Sequence, residues 1–194
     1  MMLGTLPTTL NVNGKDYRIR TDYRDVLNII AAFNDTELSD REKVYVCMKQ
    51  LFIDLNSIPG SDYQEAYNAA IKFIDGKIVH EDRPGPKVIN WEKDEPLLFS
   101  AINKVAGCEV RAVEYMHWWT FLGYFQEIDG NDTWGFILML RQKKARGKKL
   151  EKNEKEFWVA NRNLCSLEFP EDRKTPEDIL QEMYEQLAME GGAE

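Results

Sequence analysis

The chain has 194 residues, a hydrophobic fraction of 43% and a formal net charge of −8. That is enough apolar side chain for a core, and too much negative charge for a protein that grips duplex DNA with its whole surface. Its three cysteines, Cys47, Cys108 and Cys165, stand far apart, so neither a zinc site nor a disulfide framework is expected, no cofactor is indicated, and a reducing compartment is the natural setting.

The elements follow in chain order. Residues 8–20 predict a β-hairpin: Leu10 and Val12 alternate with polar residues, as do Tyr17 and Ile19, around an Asn13-Gly14 turn. The period then becomes helical, with Tyr23, Val26, Leu27, Ile30 and Phe33 on one face and Thr21 as the expected cap. Ser39 and Glu42 form a capping box before a stripe of Val44, Met48, Leu51 and Leu55, which Ile58-Pro59-Gly60 interrupts. Ser61 opens a third helix carrying Tyr63, Tyr67, Ile71 and Ile74, closed by Gly76. Residues 76–93, rich in charge and containing Pro84-Gly85-Pro86, are expected to be a linker. Asp94 is expected to cap a fourth helix, with Pro96 in its first turn and Gly107 at its end.

Ala112 to Phe125 is apolar around most of its circumference and is expected to be the central helix. A sixth helix through Trp134, Ile137 and Leu138 runs into Arg141, Lys143, Lys144, Arg146, Lys148 and Lys149, and a further helix covers Glu151 to Asn163. The pattern predicts a mainly α protein of about seven or eight helices with one small hairpin. Its main domain spans 1–165, and residues 166–194 form an acidic arm. That arm holds nine carboxylates against two cations, a net −7 of the chain's −8. Within it Thr175 and Pro176 open a helix whose apolar face is Ile179, Leu180, Met183, Tyr184 and Leu187, a partner-binding candidate. The first nine residues lack the regions of a secretion signal, and no uncharged apolar run reaches membrane-spanning length, so no membrane association is expected.

Chemistry is sparse. Of the two histidines, His80 lies in the linker and His117 lies one helical turn from Glu114. The expected role of that carboxylate is to satisfy a half-buried imidazole rather than to serve catalysis. No phosphate loop, nucleophile elbow or zinc-protease motif is present, and no enzyme is expected. The aromatic side chains Trp118, Trp119, Phe121, Phe125 and Trp134, with Leu122 and Ile137, have helical spacing and are expected in the core. The basic run at 141–149 has three readings: a solvated helix end, a nucleic-acid contact, or a docking site for acidic protein, including this chain's own arm or a neighbour's. No aromatic residue interleaves the run and acidic residues follow at once, which weakens the nucleic-acid reading.

One set of motifs resembles a known family. Asn90-Trp91-Glu92-Lys93-Asp94 with Leu98 and Ile102, then Met116-His117-Trp118-Trp119 with Phe121 and Leu122, then Trp134, Ile137 and Leu140-Arg141, is similar to the gene-product-fifteen family of bacteriophages and prophages of Gram-positive hosts. The turn Val105-Ala106-Gly107-Cys108-Glu109-Val110 departs from the family pattern. The resemblance implies a tail-module protein encoded close before the tape-measure protein. It further implies a non-catalytic tail-assembly chaperone in the host cytoplasm, which holds the long helical tape measure while tail-tube subunits gather on it. The arm's apolar face and the basic run are then the expected contacts. A structural virion component, a small nucleic-acid-binding or regulatory protein, and self-association stay open.

Overall fold

The computed structural model describes residues 4–76, 87–130 and 132–167. Most of the expected linker, His80 and the acidic arm with Ile179, Leu180, Met183, Tyr184 and Leu187 lie outside the described residues. Strands β1 (Thr9–Val12) and β2 (Lys15–Arg18) form the expected hairpin, with Leu10 opposite Tyr17. Asn13 and Gly14 take φ of 48° and 87°, the two positive values that a type I′ turn requires. A two-stranded ribbon is marginal alone. Here its continuation is held: Ile19 bridges Phe52, the Arg20 N–H donates to the Leu51 carbonyl at 2.8 Å, and Val12, Tyr17 and Ile19 are buried in the main core.

Eight α-helices follow among the described residues. Helix α1 (Tyr23–Asn34) is capped by Asp22, whose carboxylate accepts the Arg24 N–H at 2.9 Å. The expected cap, Thr21, is buried against the Tyr115 hydroxyl instead. Helix α2 (Asp40–Leu51) opens with the predicted Ser39–Glu42 box. It stops well before Pro59, because Phe52 turns extended to meet Ile19 and the Arg20 guanidinium takes the carbonyls of Lys49, Gln50 and Phe52. Those bonds satisfy the orphan acceptors of a helix end. Leu55 therefore falls in a separate 3₁₀ turn, and Val44 of the predicted stripe is exposed. Helix α3 (Tyr63–Ile74) buries Ala66, Ala70, Phe73 and Ile74, a face rotated away from exposed Tyr63.

Helix α4 (Trp91–Ala106) begins inside the segment read as linker. Asn90 is its cap, accepting the Lys93 N–H at 3.1 Å. Asp94 is not the cap; it lies one turn in and is buried. Pro96 consequently sits in the second turn, where its missing N–H leaves the Glu92 carbonyl without its helical donor. Gly107, at φ 70°, ends the helix as expected.

The largest difference lies in the apolar stretch. Residues 113–117 are not helical, and α5 (Trp118–Gln126) is shorter than the expected Ala112–Phe125. The Trp118 N–H donates to the Thr21 carbonyl at 2.7 Å, the Tyr23 N–H to the Met116 carbonyl at 3.0 Å, and the Met116 N–H to Asp22 at 3.2 Å. These bonds to the segment before α1 consume backbone groups that a longer helix would need. Helix α6 (Thr133–Ala145) stops short of Lys148 and Lys149. The last predicted helix is two, α7 (Lys152–Ala160) and α8 (Arg162–Cys165), broken at Asn161, whose amide donates to the Phe157 carbonyl at 3.1 Å.

The main core gathers side chains from the hairpin and α1 through α5, including Trp118 and Phe121, together with Trp134 of α6. Trp119, Leu122 and Phe125 pack against it partly buried. Ile137 belongs to a second, smaller cluster with Leu140 and Cys165, flanked by Phe136, Phe157 and Trp158. Leu97 of α4 touches both clusters.

Candidate functional site

The His-Trp-Trp run is a junction between elements. His117 is the cap of α5: its Nδ1 accepts the Trp119 N–H at 3.0 Å, which leaves Nε2–H to donate to the Pro7 carbonyl at 3.0 Å. Both ring nitrogens are thereby used, and Glu114, expected to pair with this imidazole, is exposed and takes neither. The two indoles face the other way. Trp118 Nε1 donates to the Ile74 carbonyl at 2.8 Å and Trp119 Nε1 to the Phe73 carbonyl at 2.9 Å, so the pair caps the last turn of α3. Gly76 follows with φ 66°, and a Cβ there would come within 2.6 Å of Leu122 Cδ2. The left-handed backbone there favours glycine, whereas the Leu122 side-chain tip could move aside for a Cβ.

A second junction joins α4, α6 and α8. Arg141, expected among the partner-contacting cations, is instead 2% exposed. Its guanidinium grips Asp94 bidentately at 2.6 and 2.8 Å. The remaining donors reach the carbonyls of Val88 at 3.1 Å, Leu164 at 2.6 Å and Cys165 at 3.0 Å. Asp94 also accepts the Asn90 N–H at 2.9 Å. A buried ion pair holds only when its remaining hydrogen-bonding capacity is met in this way. The Arg141 side chain also lies 5.5 Å from the Trp134 ring centroid, and Trp134 Nε1 is buried with no acceptor among the described residues.

The rest of the basic run divides. Lys143 pairs with buried Glu154, holding that carboxyl below its ordinary range. Lys144 lies over the Trp158 ring at 4.0 Å, a cation–π contact. Arg146, Lys148 and Lys149 are exposed. With Lys144 also exposed, four of the six cations read from sequence would remain for a nucleic-acid footprint. Beside Lys144 a cleft of about 420 Å³ opens between α6, α7 and the chain on either side of the Arg141 clasp. Val88, Trp158 and Leu167 supply its apolar wall, and Lys87, Lys144 and Arg162 stand around it. Lys87, Trp158 and Arg162 were not among the sequence candidates, since nothing in their spacing links them. A larger groove of about 950 Å³ lies against the end of α1 and shares Lys87 and Leu167. Its rim carries Asp35, Glu37 and Glu92.

Burial pushes the Cys47 thiol up to about 12 and raises that of Cys165, so both stay protonated and unreactive at neutral pH. Among the described residues no group of three or more His, Cys, Asp or Glu is placed to hold a metal ion, and no helix is long and apolar enough to cross a membrane. A family model described as "Bacteriophage Gp15 protein" matches residues 2–167.

The chain belongs to the bacteriophage Gp15 protein family. Comparison with curated proteins and with solved structures found no match. Six of the residues that carried the resemblance to this Gp15 family cap a helix or form the clasp. Asn90 caps α4, Asp94 and Arg141 form the clasp, His117 caps α5, and Trp118 and Trp119 cap α3. They mark how this chain folds, and the cleft is built beside the clasp. The match ends at residue 167, and the chain's concentrated negative charge begins immediately after it.

Proposed function

We propose that this Gp15-family protein is a non-catalytic tail-assembly chaperone that works in the host bacterial cytoplasm by binding the tape-measure protein, with tail-tube subunits as a second set of partners. The observation that carries the reading is the cleft: an apolar wall of Val88, Trp158 and Leu167 beside the cations Lys87, Lys144 and Arg162. An amphipathic helix with acidic flanks suits such a surface, because its apolar stripe buries against the wall while its carboxylates meet the cations at the edge. A tape measure exposes long apolar helical stripes before the tube closes around it. The phage family supports the setting, and the use of His117, Asp94 and Arg141 as caps and clasps is consistent with a binding role.

Co-expression tests the reading. The tape measure should be soluble and co-purify with the full chain, and lose both properties when Trp158→Asp is introduced. The chain should be scarce in mass spectra of purified particles. Recovery in the particles at the level of a tail protein would identify a structural virion component, and salt-sensitive DNA binding without tape-measure capture would favour the nucleic-acid reading.

A further inference from the structure

We infer that the basic cleft is the seat of the chain's own acidic C-terminal segment, residues 168–194, which docks there in cis. Four observations converge. Leu167, the last described residue, is itself part of the cleft wall, so the segment starts at the site. The segment carries nine carboxylates and two cations, whereas the cleft is edged by Lys87, Lys144 and Arg162. None of these three cations has a carboxylate within ion-pair distance among the described residues. The apolar stripe of Ile179, Leu180, Met183, Tyr184 and Leu187 is too short to stand as an isolated helix and needs a surface such as that of Val88 and Trp158.

Reach and charge choose between the two openings at Leu167. The stretch from 168 to 175 can extend over roughly 25 Å, enough to turn the helical part back onto either one. The larger groove carries Asp35, Glu37 and Glu92, which would repel the segment, and the smaller one carries the cations. Arg141 adds no free charge to either, because Asp94 neutralises it.

Zero-length carbodiimide cross-linking of the full chain, prepared as a mixture of ¹⁴N and ¹⁵N copies, tests the inference without any tape measure present. Failure of the chaperone reading therefore leaves this result standing, and the reverse. The expected products join Lys87 or Lys144 to Glu177, Asp178, Glu182 or Glu185 within copies of one isotope. Amide exchange at 176–188 should be slowed, and Arg162→Glu, which leaves both lysines available, should lower the yield. Reversing all three exposed charges should speed exchange by about tenfold, given the modest worth of each exposed pair. Products of mixed isotope would overturn docking in cis in favour of a second copy. Products joining Lys144 to Glu81 or Asp82 would assign the cleft to the segment before Lys87. Unprotected exchange at 176–188 in the unaltered chain would show that nothing in the segment docks at all.

Discussion

At the scale of single residues, two arginines do most of the joining. Arg20 gathers the carbonyls at the end of α2, and Arg141 gathers those of the last two residues of α8 along with Val88 and Asp94. All five guanidinium N–H donors of Arg141 find acceptors, which only a planar fork can arrange. Replacing Arg141 by Met strands a buried carboxylate, and the expected cost is about 3–5 kcal/mol in urea unfolding. Arg141→Lys should recover little of it. Asp94→Leu combined with Arg141→Met should cost less than Arg141→Met alone, since the double change leaves no buried charge. A loss well under ~1 kcal/mol for Arg141→Met would mean that the clasp contributes nothing net. None of this was visible in the sequence, where Arg141 heads a basic run: its partner Asp94 is 47 residues away and Val88 is 53.

Elements whose signals are local were legible. The Asn13-Gly14 hairpin, the Ser39–Glu42 box and the Gly107 stop all have partners within a few residues, and all appear where they were expected. Elements whose ends are set from afar were not. Helix α5 starts late because Thr21 and Asp22 claim the backbone before it, and Asp94 reads as a cap only while Arg141 is out of sight. Of the residues read as site candidates, Arg141 and Lys144 line the cleft, and Lys87, Trp158 and Arg162, which tertiary packing brings beside them, complete it. The Trp pair offers a test at this scale. Trp118 is fully buried and Trp119 only partly so, although both cap α3. Trp118→Ala should cost about 3–5 kcal/mol. Trp118→Phe should cost about 1–3 kcal/mol, chiefly from the unmet Ile74 carbonyl. Trp119→Phe should cost less than Trp118→Phe, because water can reach that site. Circular dichroism in urea checks the order; equal losses for the two phenylalanine variants would contradict it.

For the molecule as a whole, acidity should find the same weak points. Glu42, hydrogen-bonded to Ser39, and Glu154, paired with Lys143, are both held below the ordinary 4.5, and Glu109, gripped by Arg111, lies at about 2. A carboxyl with a lower pKa in the folded chain than in the unfolded one favours folding while ionised. That contribution is complete above about 4.5 and disappears as pH falls through each folded value, with Glu109 the last to be lost. The urea midpoint should therefore be flat near neutrality and decline from roughly pH 5 downwards. Glu154→Gln should lower the midpoint at pH 7 and bring the variant and the parent together near pH 2. A midpoint that rose on acidification would show that repulsion within the −8 chain outweighs these bonds.

The Arg141 clasp has a consequence for how such a chain can be rebuilt. At positions 88, 164 and 165 the guanidinium touches main-chain oxygen alone. Every amino acid carries that oxygen, so the grip does not depend on which side chains stand at Val88 or the exposed Leu164. The body closes on its two incoming segments as a socket closes on any plug of the right gauge. A foreign tail spliced after Leu167, or a different insert before Lys87, should leave the clasp itself intact, because the oxygens it holds at 88, 164 and 165 stay in place.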